Sequence, residues 1–215
     1  MRITYCLLRK LLLGLVCATS CAAEEQRKEV ALTFDDGPNP PYTDQLLDVL
    51  ATNGVEATFF LIGDQINAHP ETARKIIAAG HGVGGHSSDW DSLAFKRRKT
   101  VEGKLGRMDA AFAGIGVTNL TLFRPPGGVW MPWQKKILKE RGLEHISADV
   151  VVGDWKDVDA ETIRDRVLKK VRPGSIIVLH DGGGDRTETI EAVPMIIHVL
   201  RGQKYAFVRV SERVP

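Results

Sequence analysis

A chain of 215 residues, 43% hydrophobic and 26% charged, is long enough for one domain with a sizeable core and too evenly composed for a disordered protein. Its formal net charge of +2 becomes −1 once residues 1–23 are set aside, because Arg2, Arg9 and Lys10 lie there with no acidic residue. The body of the chain therefore lacks the basic excess that marks a nucleic-acid binder.

The opening stretch, MRITYCLLRKLLLGLVCATSCAAEE, has a basic start, an apolar run from Leu11 to about Ala18 and small residues before a charged region. That pattern predicts an export signal over residues 1–23, too short to span a bilayer. Cleavage after Ala22 or Ala23 would release a soluble periplasmic or secreted protein, while ATSC, ending at Cys21, weakly resembles a lipoprotein box and offers a lipid-anchored alternative. All three cysteines, Cys6, Cys17 and Cys21, fall in this stretch, so the mature domain is expected to carry no disulfide. No other long apolar run exists, which predicts no integral membrane segment.

From Glu29 onward, short apolar runs alternate with helical patterns. EVALTF, ATFFLI, HGVGG, LTLFR, HISADVVV, SIIVLH and YAFVRV read as seven strands. Helices are predicted between them at about 42–53, 70–79, 99–113, 132–141, 159–171 and 189–201. Pro40 and Pro41, Pro70 and Pro132 stand at three helix entries, and Pro194 either kinks the last helix or marks its start. Continuous apolar strands alternating with helices predict a parallel sheet covered by helices, as an open doubly wound sheet or a closed or incomplete barrel. No linker divides the chain, so one domain and a monomer are the default.

Polar residues punctuate the strand ends. Asp35 and Asp36 follow the first run, His86 the third, Arg124 the fourth, Asp154 the fifth and His180 the sixth. In a parallel α/β fold those ends converge on one face, so six dispersed residues can form one site. Each has a bland alternative. Asp35-Asp36-Gly37-Pro38 reads equally as a turn, His86 as a surface histidine, Arg124 before Pro-Pro-Gly-Gly as a loop arginine, and Trp155 beside Asp154 as core packing. Two adjacent carboxylates resist joint ionisation unless a cation neutralises one, which leaves the other as a base. His180, at the mouth of a buried strand, suits a general acid or base. His81 reads as structural or supporting, and KRRKTVEGKLGR as a solvated helix face, with the holding of an anionic wall polymer as its alternative.

TFDDGP, a His-Ser segment, RPPGG, an Asp-Trp pair and IIVLHDGGG, in this order, resemble the polysaccharide deacetylases of carbohydrate esterase family 4, the NodB-homology domain, over roughly residues 28–211. The resemblance implies a distorted (β/α) barrel of seven or eight parallel strands and metal-dependent deacetylation of an N-acetylated polysaccharide or oligosaccharide. It implies Asp35 as the base, Asp36 and His86 as ligands of a divalent metal, commonly zinc, Arg124 as the residue that positions the base, and His180 as the acid oriented by Asp154. Trp155 and Leu179 would wall the acetyl pocket, and the Gly127 N–H would stabilise the oxyanion.

Two departures stand out. The metal motif His-(Ser/Thr)-x-x-His reads HSSDW here, so Trp90 replaces the second histidine and Asp89 or Asp91 is left as a substitute ligand. Asp149 also lies five residues before Asp154 in DVVVGDW, not at the usual spacing. The leading expectation is N-deacetylation of peptidoglycan or a chitin oligosaccharide. The rivals are O-deacetylation, as in acetyl xylan esterases, and a degenerate domain that binds glycan through Trp130, Trp133 and Trp155 without turnover.

Overall fold

The computed structural model describes residues 28–210; the expected export signal and Cys21 lie outside the described residues. The central strand β1 (Lys28–Asp35) is followed by α1 (Tyr42–Thr52), β2 (Thr58–Leu61), α2 (Gly63–Ala68), α3 (Pro70–Ala78) and β3 (Gly82–Gly85). Then come α4 (Arg98–Gly114), β4 (Leu122–Phe123), a 3-10 turn (Pro126–Gly128), α5 (Gln134–Glu140) and β5 (Glu144–His145). The chain continues through β6 (Val150–Val151), α6 (Ala160–Lys170), β7 (Ile176–His180), α7 (Thr187–Gly202) and β8 (Tyr205–Phe207). All ladders are parallel, in the order β5-β4-β3-β2-β1-β7-β6, with β8 beside the first residues of β1.

The predicted strand HISADVVV divides in two. Ile146 N–H donates to Phe123 O on one edge of the sheet, and Asp149 N–H donates to Ile176 O on the other. Three Cα steps separate these residues, at most about 11 Å of chain. The edges therefore curl close to one another without a ladder between them, giving an incompletely closed barrel. Asp149 belongs to this seam: its carboxylate accepts from Ser175 Oγ at 2.6 Å and from Ile176 N at 2.5 Å, at the start of β7 and away from the strand ends that carry the site.

Strand alternation sorts β1 into two faces. Val30, Leu32 and Phe34 join Phe59, Leu61, Ile177 and Leu179 in the main core against the helices. Ala31, Phe60, Leu122, Ile146 and Val210 form a smaller core inside the curl. Thr33 and Asp35 share the inner face with Ala31, so the carboxylate stands above an apolar plug that closes the barrel floor.

Helix ends follow local chemistry. Pro70 occupies the first turn of α3, where its missing N–H costs nothing. The Asp159 side chain caps α6 by accepting from Thr162 N at 2.7 Å, and Lys169 and Lys170 complement the dipole at the far end. Pro194 lies inside α7, which starts at Thr187, so it does not mark the helix start. The short helix α2, which the sequence pattern does not predict, holds the HSSDW loop in place. Gly63 N–H donates to Ser87 O at 3.0 Å and Asp64 N–H to Ser88 O at 2.8 Å.

Candidate active site

The parallel register sets the site. Asp35 pairs with His180 across β1 and β7, and with Phe60 across β1 and β2. Gly85 pairs with Phe123 across β3 and β4, which places the next residues, His86 and Arg124, together. Asp35, His86, Arg124 and His180 open into one cleft of about 940 Å³, whose walls include Asp36, Trp90, Gly127, His145, Trp155 and Arg186.

Asp35 is buried and tied to Arg124, whose Nη1 lies 2.7 Å from Asp35 Oδ1. The same Nη1 donates to Thr33 Oγ1 at 2.8 Å, Nε donates to Ile146 O at 3.2 Å, and the guanidinium rests on the Phe60 ring at 4.0 Å. A planar cation held at three points fixes one oxygen of Asp35 and leaves Oδ2 turned toward His86, 3.9 Å from its Nε2.

His86 turns an unprotonated ring nitrogen into the cleft. Its Nδ1 lies 2.8 Å from the Arg124 carbonyl, which can only accept, so Nδ1 carries the hydrogen. Burial in the first place lowers the His86 pKa and keeps the ring neutral. Its Nε2 therefore presents a lone pair, 3.5 Å from Asp36 Oδ1 and 3.9 Å from Asp35 Oδ2. Three electron-rich atoms face each other at or beyond the limit of hydrogen bonding, an arrangement that a divalent cation would complete. The Asp36 pKa is raised, first by burial, with His86 and His180 working against the rise. Asp36 also adopts φ +76, and Gly182 packs so close behind it that a Cβ there would stand 2.1 Å from Asp36 O.

The expected third ligand is not gathered with these two. Asp89 is paired with Lys104 and lies 3.3 Å from Arg107 Nη2, and the exposed Asp91 lies 3.4 Å from Lys104 Nζ. Neither lines the cleft, whereas Trp90 does, 48% exposed. Among the described residues no group of three or more His, Cys, Asp and Glu side chains could hold a metal. The donors present thus fit a cation held by Asp36 and His86, one protein ligand short of the usual catalytic zinc site.

On the opposite wall, His180 Nδ1 lies 2.9 Å from Asp154 Oδ1. Asp154 Oδ2 accepts from the His180 backbone N–H at 2.8 Å and from Thr189 Oγ1 at 3.0 Å, so the buried carboxylate is fully engaged. Burial alone would lower the His180 pKa, but Asp154, with smaller help from Asp35 and Asp36, outweighs it and the net shift is upward. Trp155 meets this imidazole edge-on at 4.8 Å.

Leu179 is corrected by strand alternation. It sits between inward-facing Val178 and His180, so its side chain joins the helix-side core and Val178 lines the cleft. His81 precedes β3 while His86 follows it; its Nδ1 accepts from Ala57 N at 3.2 Å, which is a structural role at the other end of the strand.

Arg186, Thr189 and His145 carry no motif that singles them out in the sequence. Arg186 is buried and donates to the carbonyls of Gly182, Gly183 and Asp185, clamping the turn that packs against Asp36. Its position five residues after Asp181, past three glycines that need an anchor, is the signal that could have found it. His145 stacks on Trp130 at 6.2 Å beside the seam of the sheet, where the split of one predicted strand conceals it.

The parallel half-barrel gathers at its strand ends a buried carboxylate held by Arg124, a neutral histidine and a histidine paired with Asp154, an arrangement able to carry out hydrolysis. The polysaccharide deacetylase family profile matches residues 22–146, and the chain belongs to that family. A peptidoglycan-N-acetylglucosamine deacetylase of Bacillus cereus is 37% identical over 188 residues, covering 86% of this chain and 87% of that protein. A chitooligosaccharide deacetylase of Sinorhizobium fredii is 34% identical over 187 residues, covering 82% and 87%. The crystal structure of the Bc1960 peptidoglycan N-acetylglucosamine deacetylase superposes with a TM-score of 0.83 at 31% identity, over 87% of this chain and 88% of that one. BA3943 of Bacillus anthracis, a family pseudoenzyme, superposes at 0.81 with 26% identity, over 87% and 65%. A mutant of BA3943 with restored enzymatic activity also superposes at 0.81, with 27% identity over 87% and 67%.

Proposed function

We propose that this chain is an exported, metal-dependent polysaccharide deacetylase that hydrolyses the acetamide of an N-acetylglucosamine-containing glycan, peptidoglycan or a chitin oligosaccharide. The observation that carries the reading is the register pair Asp35 and His180, each held by its own counter-ion, on adjacent strands at the floor of one cleft. Export rests on the signal-like segment at residues 1–23.

Asp35 takes a proton from the attacking water at Oδ2 while Arg124 holds Oδ1. The hydroxide so formed adds to the acetyl carbon, and the Gly127 backbone N–H, at the cleft wall, donates to the oxyanion. His180, kept protonated by Asp154, gives its Nε2 proton to the departing nitrogen as the C–N bond breaks, leaving acetate and a free amine. Trp155 and Val178 exclude water around the acetyl methyl group. A divalent cation held by Asp36 and His86, zinc in this reading, would polarise the acetyl carbonyl and lower the pKa of the water.

Acetate release from chito-oligosaccharides and peptidoglycan fragments tests the proposal, with Asp35→Asn as control. Release by the native chain and a loss of roughly 10²–10⁴-fold in the variant are expected. Equal release by both would remove Asp35 from the chemistry.

A second reading is favoured by one observation: Trp90, where the family has its second histidine, leaves the cation one ligand short. The cleft would then bind glycan without turnover, supported by its similarity to a family pseudoenzyme. Retention on glycan with no acetate released at any zinc concentration would select it.

A further inference from the structure

Among the described residues, the exposed large hydrophobic side chains are Trp90, Phe95, Val129, Trp133, Val151 and Trp155, all at or beyond the C-terminal ends of β3, β4 and β6. Trp90, Val151 and Trp155 line the cleft itself, and apolar exposure gathered there marks a binding surface. The loop after β3 carries a second signal. Phe95 is 82% exposed and its backbone sits at φ +58, a region unfavourable for a bulky residue. Lys96, Arg97 and Lys99 beside it are exposed and have no ion pair among the described residues, while Arg98 is paired with Glu102 and Glu140. Arg97 stands at the N-cap position of α4 with no side-chain hydrogen bond into the helix, and the first turn of that helix contains no acidic residue, so these cations oppose the positive end of the helix dipole. Strained backbone, an exposed ring and cations at the unfavourable helix end are local costs with no return inside the molecule, the pattern expected where a surface serves a partner.

The loop is joined to the cleft. Trp90, at its start, lines the cleft, and Gln134 Nε2 donates to Leu93 O at 2.7 Å while Gln134 Oε1 accepts from Met131 N at 2.7 Å, which stitches this loop to the one after β4. We propose that the segment Trp90–Lys99 is an outlying subsite for an anionic carbohydrate polymer, continuous with the cleft. The proposal rests on the glycan reading of that cleft. Isolated aromatic rings suit successive sugar rings, and free cations suit carboxylates or phosphates carried at intervals along a polymer. A membrane surface fits less well, because α4 buries Val101, Leu105, Met108 and Phe112 in the core and has no apolar face left to lie in a bilayer.

Sedimentation of the purified protein with peptidoglycan sacculi, with neutral colloidal chitin and with phosphatidylglycerol vesicles tests this. Sacculi are expected to retain the native chain more strongly than chitin does, and less as salt rises. The triple substitution Lys96→Gln, Arg97→Gln, Lys99→Gln should weaken retention on sacculi by roughly tenfold and flatten its salt dependence. Phe95→Ala, which removes no buried contact, should also weaken it. Unchanged retention and salt dependence in both variants, or capture by vesicles and not by sacculi, would overturn the proposal. Since sedimentation reads binding alone, residue-dependent retention without acetate release would end the catalytic reading and leave the subsite standing.

Discussion

At the scale of single residues, the site is two held pairs and, in the proposed reading, one exchanged ligand at Trp90. Arg124 fixes Asp35, and Asp154 fixes His180 and raises its pKa. An acid must be protonated to act, so turnover should fall as pH rises through that raised value. Asp154→Asn removes the counter-charge, and the alkaline limb of the kcat profile is expected to move to lower pH; an unmoved limb would show that His180 is not the acid. Trp90→His restores the third donor. Even partners outside the ligand set change metal affinity by about 10–100-fold, so zinc affinity by calorimetry should rise by at least roughly tenfold. Unchanged affinity would mean that Asp36 and His86 do not hold the cation with position 90.

At the scale of elements, the turn after β7 shows why charge and packing have to be considered together. Asp181 is fully buried, accepts from Thr43 Oγ1 at 2.6 Å, and burial pushes its pKa up to about 7. The folded chain thus keeps a proton that the unfolded chain releases near 3.8. Stability should fall as pH rises between those values, by a few kcal/mol at most. Asp181→Asn keeps the acceptor for Thr43 and cannot ionise, so denaturation midpoints should vary less across that window; an equal slope would contradict the assignment. In β7 itself, Leu179→Ala should cost about 2–5 kcal/mol of stability, as a core truncation does, whereas Val178→Ala should act on KM. The strand pattern makes β1, β7 and most helices legible, because their apolar periods are long. It does not distinguish Leu179 from Val178, since a wholly apolar strand hides its phase. The run HISADVVV reads as one strand because Ile146, Ser147, Ala148, Asp149 and Val150 alternate apolar and polar through the crossing as a half-buried strand would, and α2 escapes notice because six residues carry too little periodicity.

At the scale of the whole molecule, one curled sheet collects residues from positions 35 to 180 and sets them around a single cleft, with a basic and aromatic loop at its rim. Asp35, Asp36, His86, Arg124, Asp154 and His180 are visible in the sequence because strand ends of a parallel fold converge. Arg186 and Thr189 are not, because their roles depend on which turn they reach back to, which no periodicity encodes. The proposed chemistry stands or falls on whether this cleft hydrolyses an acetamide with a cation held by only two side chains. The decisive experiment is acetate release from peptidoglycan and chito-oligosaccharides as zinc is removed with a chelator and then restored. Release that the chelator abolishes and zinc recovers is expected. No acetate from the folded protein at any zinc concentration, or release that the chelator leaves untouched, would contradict it.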